Sequence, residues 1–263
     1  MTQSSCTIAY FTGAGTTRIV AERFAAAVEA EGVAARAVDI TPAGSDVPAF
    51  GSDDLAVFAV PSFGGRVPSP ALAQLARCEG HGTPAVLIVT FGNRAVDDTF
   101  LELAETVRER GFIPVALGAI CAHHSLMIDV AKGRPDKTDL ETVDNLARAT
   151  LDKLAHVQSA RDAELADIPG NRPYREFNGS PFRAQADAGA CTGCGSCVRQ
   201  CPAGAIDPAH PASTDADACI TCMRCITVCS AGARSLTGGD ALAAQRAAFT
   251  ERLSARVESY TVL

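Results

Sequence analysis

The chain has no excess of positive charge and no cluster of basic residues: 23 Lys and Arg stand against 30 Asp and Glu, a net charge of −7 over 263 residues. Without a basic field nothing would hold a phosphate backbone, which excludes nucleic acid as an expected partner. Long apolar runs are missing as well. The longest strongly apolar stretch, Ala85 to Val89, is the length of a strand and far short of a membrane span. The opening residues, MTQSSCTIAYFTGAG, lack a basic segment followed by an extended apolar one. The expectation is therefore a soluble, cytoplasmic protein without membrane contact. Its length exceeds the ~100–200 residues of one domain and predicts a large domain and a small one.

Cysteine, by contrast, is abundant. Of eleven cysteines, eight lie in two short runs, CTGCGSCVRQCP from Cys191 and CITCMRCITVCS from Cys219, each spaced C-x2-C-x2-C-x3-C. Thiolates are soft ligands suited to iron–sulfur clusters, and such tight spacing lets a looped backbone direct several sulfurs at one cube. Structural zinc usually takes two separated pairs of ligands, and a disulfide framework goes with an export signal. The candidate metal ligands are thus Cys191, Cys194, Cys197, Cys201, Cys219, Cys222, Cys225 and Cys229. Cys6, Cys78 and Cys121 have no such spacing and are expected to be small buried apolar residues.

Residues 188–236, including CPAGAI at Cys201 and CSAGAR at Cys229, resemble the bacterial two-cluster ferredoxins. In that family the fourth cysteine of each run serves the other cluster. The resemblance implies one 4Fe-4S cluster on Cys191, Cys194, Cys197 and Cys229, and a second on Cys219, Cys222, Cys225 and Cys201. Ser230 stands where the family commonly has proline, which alters the turn and its hydrogen bonding but removes no ligand.

From residue 7 to about 155, short apolar runs alternate with segments of helical period, the pattern of βαβ units around a parallel sheet. Strands are predicted at Thr7 to Phe11, Ala34 to Asp39, Leu55 to Val60, Ala85 to Thr90 and Val115 to Ala119. Helices are predicted at Thr17 to Glu31 and Ala95 to Arg110, with a third beginning at Ser69 and Pro70. The expected fold class is α/β: a doubly wound, five-stranded parallel sheet, which a resemblance to the flavodoxins would order 2-1-3-4-5, plus a small ferredoxin domain and a C-terminal helix. The expected divisions are a flavodoxin-like domain over 1–160, a linker over 161–186, the ferredoxin domain over 187–238, and a helix and tail over 239–263. In the linker, Tyr174, Phe177 and Phe182 are expected to pack onto the domains. Asp240 to Val257 is predicted as an amphipathic packing helix with Leu242, Phe249, Leu253 and Val257 on one side.

Strand one runs into TGAGTTR, residues 12 to 18, and then into a helix. Free amides at a helix start, with the positive end of the dipole, favour a phosphate, and the hydroxyls of Thr12, Thr16 and Thr17 add donors. Two ligands compete for this loop. Gly13 and Gly15 begin a dinucleotide fingerprint, with Asp39 near the place of a ribose-binding acid, but Arg18 occupies the third glycine position. Flavin mononucleotide suits the loop better, because two more loops meet it at the same sheet edge: Pro61, Ser62, Phe63, Gly64 and Gly65, then Phe91, Gly92, Asn93 and Arg94. Phe63 and Phe91 are expected to flank the flavin ring, the glycines to admit backbone amides, and Asn93 or Arg94 to bond its polar edge. Ala14 replaces a hydroxyl residue of the usual flavodoxin phosphate loop, a loss of ~1 kcal/mol if nothing substitutes. His123 and His124 follow strand five at this edge and are expected to cap a loop.

The order YFTGAGTTR, PSFGGRVP, TFGNRAVDD, AHHS, PGNRPY and two four-cysteine runs resembles the flavodoxin-plus-ferredoxin fusion family found mainly in anaerobic bacteria. That resemblance implies FMN and two 4Fe-4S clusters acting together in electron transfer, with redox proteins as donor and acceptor. A plain two-cluster carrier whose flavodoxin-like domain serves for docking stays open, as do a flavin-dependent reductase and a redox sensor.

Overall fold

A computed structural model describes residues 1–263. Its first part alternates strand and helix: β1 (Ser5–Tyr10), α1 (Thr16–Ala30), β2 (Ala35–Asp39), β3 (Asp54–Pro61), α2 (Ser69–Leu75), β4 (Thr83–Phe91), α3 (Thr99–Arg108), β5 (Phe112–Cys121) and α4 (Lys137–Ala155). The five strands are parallel in the order β2-β1-β3-β4-β5, the doubly wound flavodoxin-like arrangement. Strand residues alternate between two buried layers. Leu55, Val57 and Ala59 of β3 face α1 and α4 with Phe24 and Leu146, whereas Ala56, Phe58 and Val60 face α2 and α3 with Leu75 and Phe100. Burial on both faces explains why these strands are continuously apolar rather than alternating. Cys6, Cys78 and Cys121 are buried in these layers, and burial pushes the Cys6 thiol up to about 12 and Cys78 to about 11.

The four-cysteine region begins with β6 (Arg183–Ala186) and ends with β7 (Arg234–Thr237), which pair antiparallel. Between them, the single-turn helices α5 (Ser196–Arg199) and α6 (Arg224–Thr227) carry Cys197 and Cys225. The two halves repeat each other in backbone as well as in sequence. Gly193, Gly195 and Gly204 have φ of 68°, 70° and 62°, and their counterparts Thr221, Met223 and Gly232 have 54°, 71° and 62°. Thr221 and Met223 thus hold a left-handed backbone despite their side chains, and the Thr221 hydroxyl is tied to the Phe182 carbonyl at 2.8 Å.

Two features depart from the expectations. Helix α7 (Gly239–Arg252) ends before Leu253 and Val257, because Asn93 Nδ2 takes the carbonyls of Leu253 and Ala255 at 2.8 Å each. Val257 N–H in turn donates to Asn93 Oδ1 at 2.9 Å, so this stretch is held extended. The chain then adds a sixth strand, β8 (Tyr260–Val262), antiparallel to β5. No helix is long and apolar enough to cross a membrane.

Candidate redox centre

At the carboxyl ends of the parallel strands lies a cleft of about 470 Å³. The loop after β1 brings Gly13, Ala14, Thr16 and Thr17 to it, the loop after β3 brings Pro61, Ser62, Phe63 and Gly64, and the loop after β4 brings Phe91, Gly92 and Arg94. Four of the proposed contacts are not in its wall. Thr12 is buried, with its amide on Thr41 Oγ1 at 2.8 Å and its own hydroxyl accepting from Gly15 N–H at 3.1 Å, so Thr12 and Gly15 brace the loop from behind. Gly65 packs against Asp97 and Arg175. Asn93 is turned away, and its amide is fully engaged by residues 253–257.

The loop after β1 has the chemistry of an anion site. The N–H groups of Gly13, Ala14, Thr16 and Thr17 have no acceptor in the protein, and they sit at the start of a fifteen-residue helix whose dipole points its positive end at them. Thr17 Oγ1 shares a hydrogen bond with Thr90 at 2.8 Å, which leaves the Thr16 hydroxyl as the free side-chain donor. The loop after β3 is braced by Glu102, which takes Arg66 Nε at 3.0 Å, Arg66 Nη2 at 2.6 Å and Val67 N–H at 2.8 Å. Phe63 is half-exposed, whereas Phe91 is 4% exposed and forms the floor of the cleft.

The opposite wall comes from parts of the chain that no local pattern connects with the sheet. The connection after α4 contributes Arg175, Phe177 and Gly179 to Pro181; α7 contributes Gln245, Phe249 and Arg252; the four-cysteine region contributes Ile220, Thr221 and Cys222. Phe177 lies on Gly64 so closely that any Cβ there would collide with its ring. His124 also lines the cleft, its ring against Gly92, and its Nδ1 accepts from the N–H groups of Leu126 at 3.2 Å and Met127 at 3.3 Å. Burial, followed by the charges of His123 and Arg94, lowers its pKa to about 4, so the ring is neutral at physiological pH with its proton on Nε2. His123 is in the wall of the cleft too, with Nε2 on the Ile128 carbonyl at 2.6 Å.

The eight clustered cysteines fall into two cavities. One is lined by Cys191, Cys194, Cys197 and Cys229, the other by Cys201, Cys219, Cys222 and Cys225. Each cavity draws three cysteines from one run and the fourth from the other. In the second, Ala205 N–H donates to Cys201 Sγ at 3.3 Å and Thr221 N–H to Cys219 Sγ at 3.4 Å, the kind of bond that tunes a thiolate ligand. Four thiols around each cavity fit a cube gripped at its corners.

Residues 183–236 match the 4Fe-4S dicluster domain family. This dicluster region contains all eight clustered cysteines, β6, and β7 up to Leu236. None of the curated proteins compared matches the chain. Among solved structures, a flavodoxin from the domain Archaea is similar with a TM-score of 0.41 and 17% identity, covering 58% of this chain and 99% of its own. A two-electron reduced flavodoxin of Megasphaera elsdenii gives 0.39 and 19%, covering 56% and 98%. Flavodoxin 2 of Bacillus cereus gives 0.39 and 18%, covering 57% and 99%. The flavodoxin-like fold follows from the strand order itself. The chain thus joins a flavodoxin-like sheet to a dicluster region, and an iron–sulfur electron-transfer protein is the coarse description that this pairing supports.

The dicluster region is seated directly on the sheet. A Cβ on Gly13 would collide with the Cys222 carbonyl oxygen, so only glycine admits this approach. Arg224 reaches Asp39 at the end of β2.

Proposed function

We propose that the protein passes electrons between two 4Fe-4S clusters and an FMN held in the cleft, and so couples one-electron carriers to a redox partner or small acceptor. The observation that carries this reading is the position of Cys222. It lines both the second cysteine cavity and the cleft, with its backbone against Gly13. Bound there, the clusters would supply single-electron steps and the flavin one- or two-electron storage.

The ligands on this reading are Cys191, Cys194, Cys197 and Cys229 for one cluster and Cys201, Cys219, Cys222 and Cys225 for the other. The free amides of Gly13, Ala14, Thr16 and Thr17, with the Thr16 hydroxyl, receive the phosphate at the head of α1. Phe63 and the floor residue Phe91 supply apolar surface for the ring, and Gly64 and Gly92 let the backbone come close. Arg94 stands at the polar edge, where Asp97 orients it.

The two cysteine cavities also differ in access, which gives the route an order. Cys194 is exposed, whereas Cys222 and Cys225 are buried, and Cys222 meets the sheet at Gly13. A protein partner would therefore meet the Cys194 cavity first, and the Cys222 cavity would stand between it and the cleft.

Anaerobic purification with flavin, iron and acid-labile sulfide measured on one sample tests this. About eight irons and one FMN per chain are expected. About eight irons with no flavin after incubation with FMN would overturn the coupling and leave a carrier with a docking sheet.

A further inference from the structure

Gln245, Phe249 and Arg252 are spaced i, i+4 and i+7 on α7, share one face of it, and turn that face to the cleft. A face of this kind would ordinarily spend its polar groups on the protein. Here Gln245 and Arg252 make no side-chain hydrogen bond and no ion pair; the Arg252 guanidinium simply lies over the Phe249 ring, 4.3 Å from its centroid. The other cleft arginines are engaged, Arg94 and Arg175 both on Asp97. His124 meets Phe249 edge-on, with centroids 6.3 Å apart and planes at 85°. Because its Nδ1 accepts two backbone N–H groups, its one donor is Nε2–H, and that group has no partner in the protein. An unpaired cation, an aromatic plate and two unpaired N–H donors therefore converge from α7 and the loop after β5.

We propose that this face is a binding subsite for a small planar carboxylate held beside the flavin. The proposal rests on reading the cleft as the FMN site. Each group has a matching part in such a ligand. The guanidinium takes the carboxylate through a charge-assisted bond, and the conjugated body lies against Phe249. A carbonyl or second carboxylate oxygen accepts from His124 Nε2–H or the Gln245 amide. The requirement for planarity comes from Phe249, and the requirement for negative charge from Arg252, the one cleft arginine without a carboxylate.

Benzoate is a suitable probe, titrated calorimetrically into the anaerobic, cluster-loaded full chain with and without FMN, with flavin content read by absorbance on the same samples. Benzoate is expected to bind the FMN-loaded chain. Its neutral isostere benzamide, and benzoate on Arg252→Gln, should each bind at least about tenfold more weakly. Gln245→Ala should weaken it less, and Glu251→Gln, on the neighbouring exposed side chain, should leave it unchanged. Equal affinity in Arg252→Gln, or no binding to either form, would overturn the subsite. Binding that vanishes on FMN loading would overturn it too, because the face would then belong to the flavin's own site. If FMN itself fails to load while benzoate binds with the same dependence on Arg252, the subsite stands and the flavin reading falls.

Discussion

Asp39 Oδ2, at the end of β2, accepts a hydrogen bond from Arg224 Nη2 at 2.6 Å, and so links the sheet to the dicluster region. Arg224 is nearly buried and also donates from Nε to Gln200 Oε1 at 3.0 Å. Asp39 occupies the place where a dinucleotide site would keep its ribose-binding acid. Its carboxylate is instead committed to an ion pair within the chain.

Replacing Arg224 by leucine would strand the Asp39 carboxylate and the Gln200 amide at this junction. Asp39 keeps a quarter of its side chain in solvent, so the cost is below that of a fully buried pair, about 1–3 kcal/mol. Anaerobic urea unfolding of the cluster-loaded protein measures it, and a loss below experimental error would show the pair to be ornamental.

The Gly13–Cys222 approach leaves no room for a methyl group. Gly13→Ala is expected to destabilise the folded chain by about 1–3 kcal/mol as the two backbones separate. Stopped-flow reduction of the flavin through the clusters should slow in the same variant while iron content holds; unchanged flavin reduction would remove Cys222 from the route.

Asp98 accepts backbone N–H bonds from Arg175 at 2.7 Å and Asn171 at 2.8 Å, which hold its carboxyl below the ordinary 3.8 and pin the connection after α4 onto α3. A carboxylate whose folded pKa is depressed stabilises the native state above its unfolded pKa, and that contribution is lost as the pH falls towards the folded value. Amide exchange at Asn171 and Arg175, corrected for intrinsic rate, should be constant down to about pH 4 and accelerate below it. In Asp98→Ala the protection should be low throughout and the acid step absent.

The cysteine grouping predicts which variants resemble each other. Cys229→Ser should change the same paramagnetic signal as Cys191→Ser, although Cys229 belongs to the second run. Cys201→Ser should group with Cys219→Ser. Each is expected to lower iron by up to about four per chain, and grouping by run instead would refute the crossed assignment.

The parallel order of the sheet was legible because β1, β3, β4 and β5 are apolar on both faces and each is followed by a glycine-bearing loop. Helix α4 was less so, although its Asp136 and Asp139 form a capping box that a search for such pairs would find. Other features depend on contacts between segments far apart in sequence, which periodicity does not carry. The apolar stripe expected through Val257 fails because Asn93, some 160 positions earlier, captures those carbonyls. For the same reason the far wall of the cleft, from Phe177 to Arg252, could not be assigned from local pattern; His124 caps its loop through Nδ1 as expected, but that its ring also lines the cleft depends on such distant contacts.

Strand β8 returns to the sheet after the dicluster region has been traversed, and the stretch leading to it is fastened by Asn93, by Arg134 on the Val257 carbonyl at 2.6 Å, and by Ser259 on Asp139 at 2.6 Å. Topologically the iron-binding segment is therefore a loop of the sheet, inserted between β5 and its last partner and tethered at both ends. During synthesis the outer edge of β5 stays open until residues 260–262 emerge, by which time every cysteine has already been made. The pairing of β8 with β5 is thus possible only after the whole cysteine-bearing segment has been made, and this edge of the sheet closes behind the dicluster region.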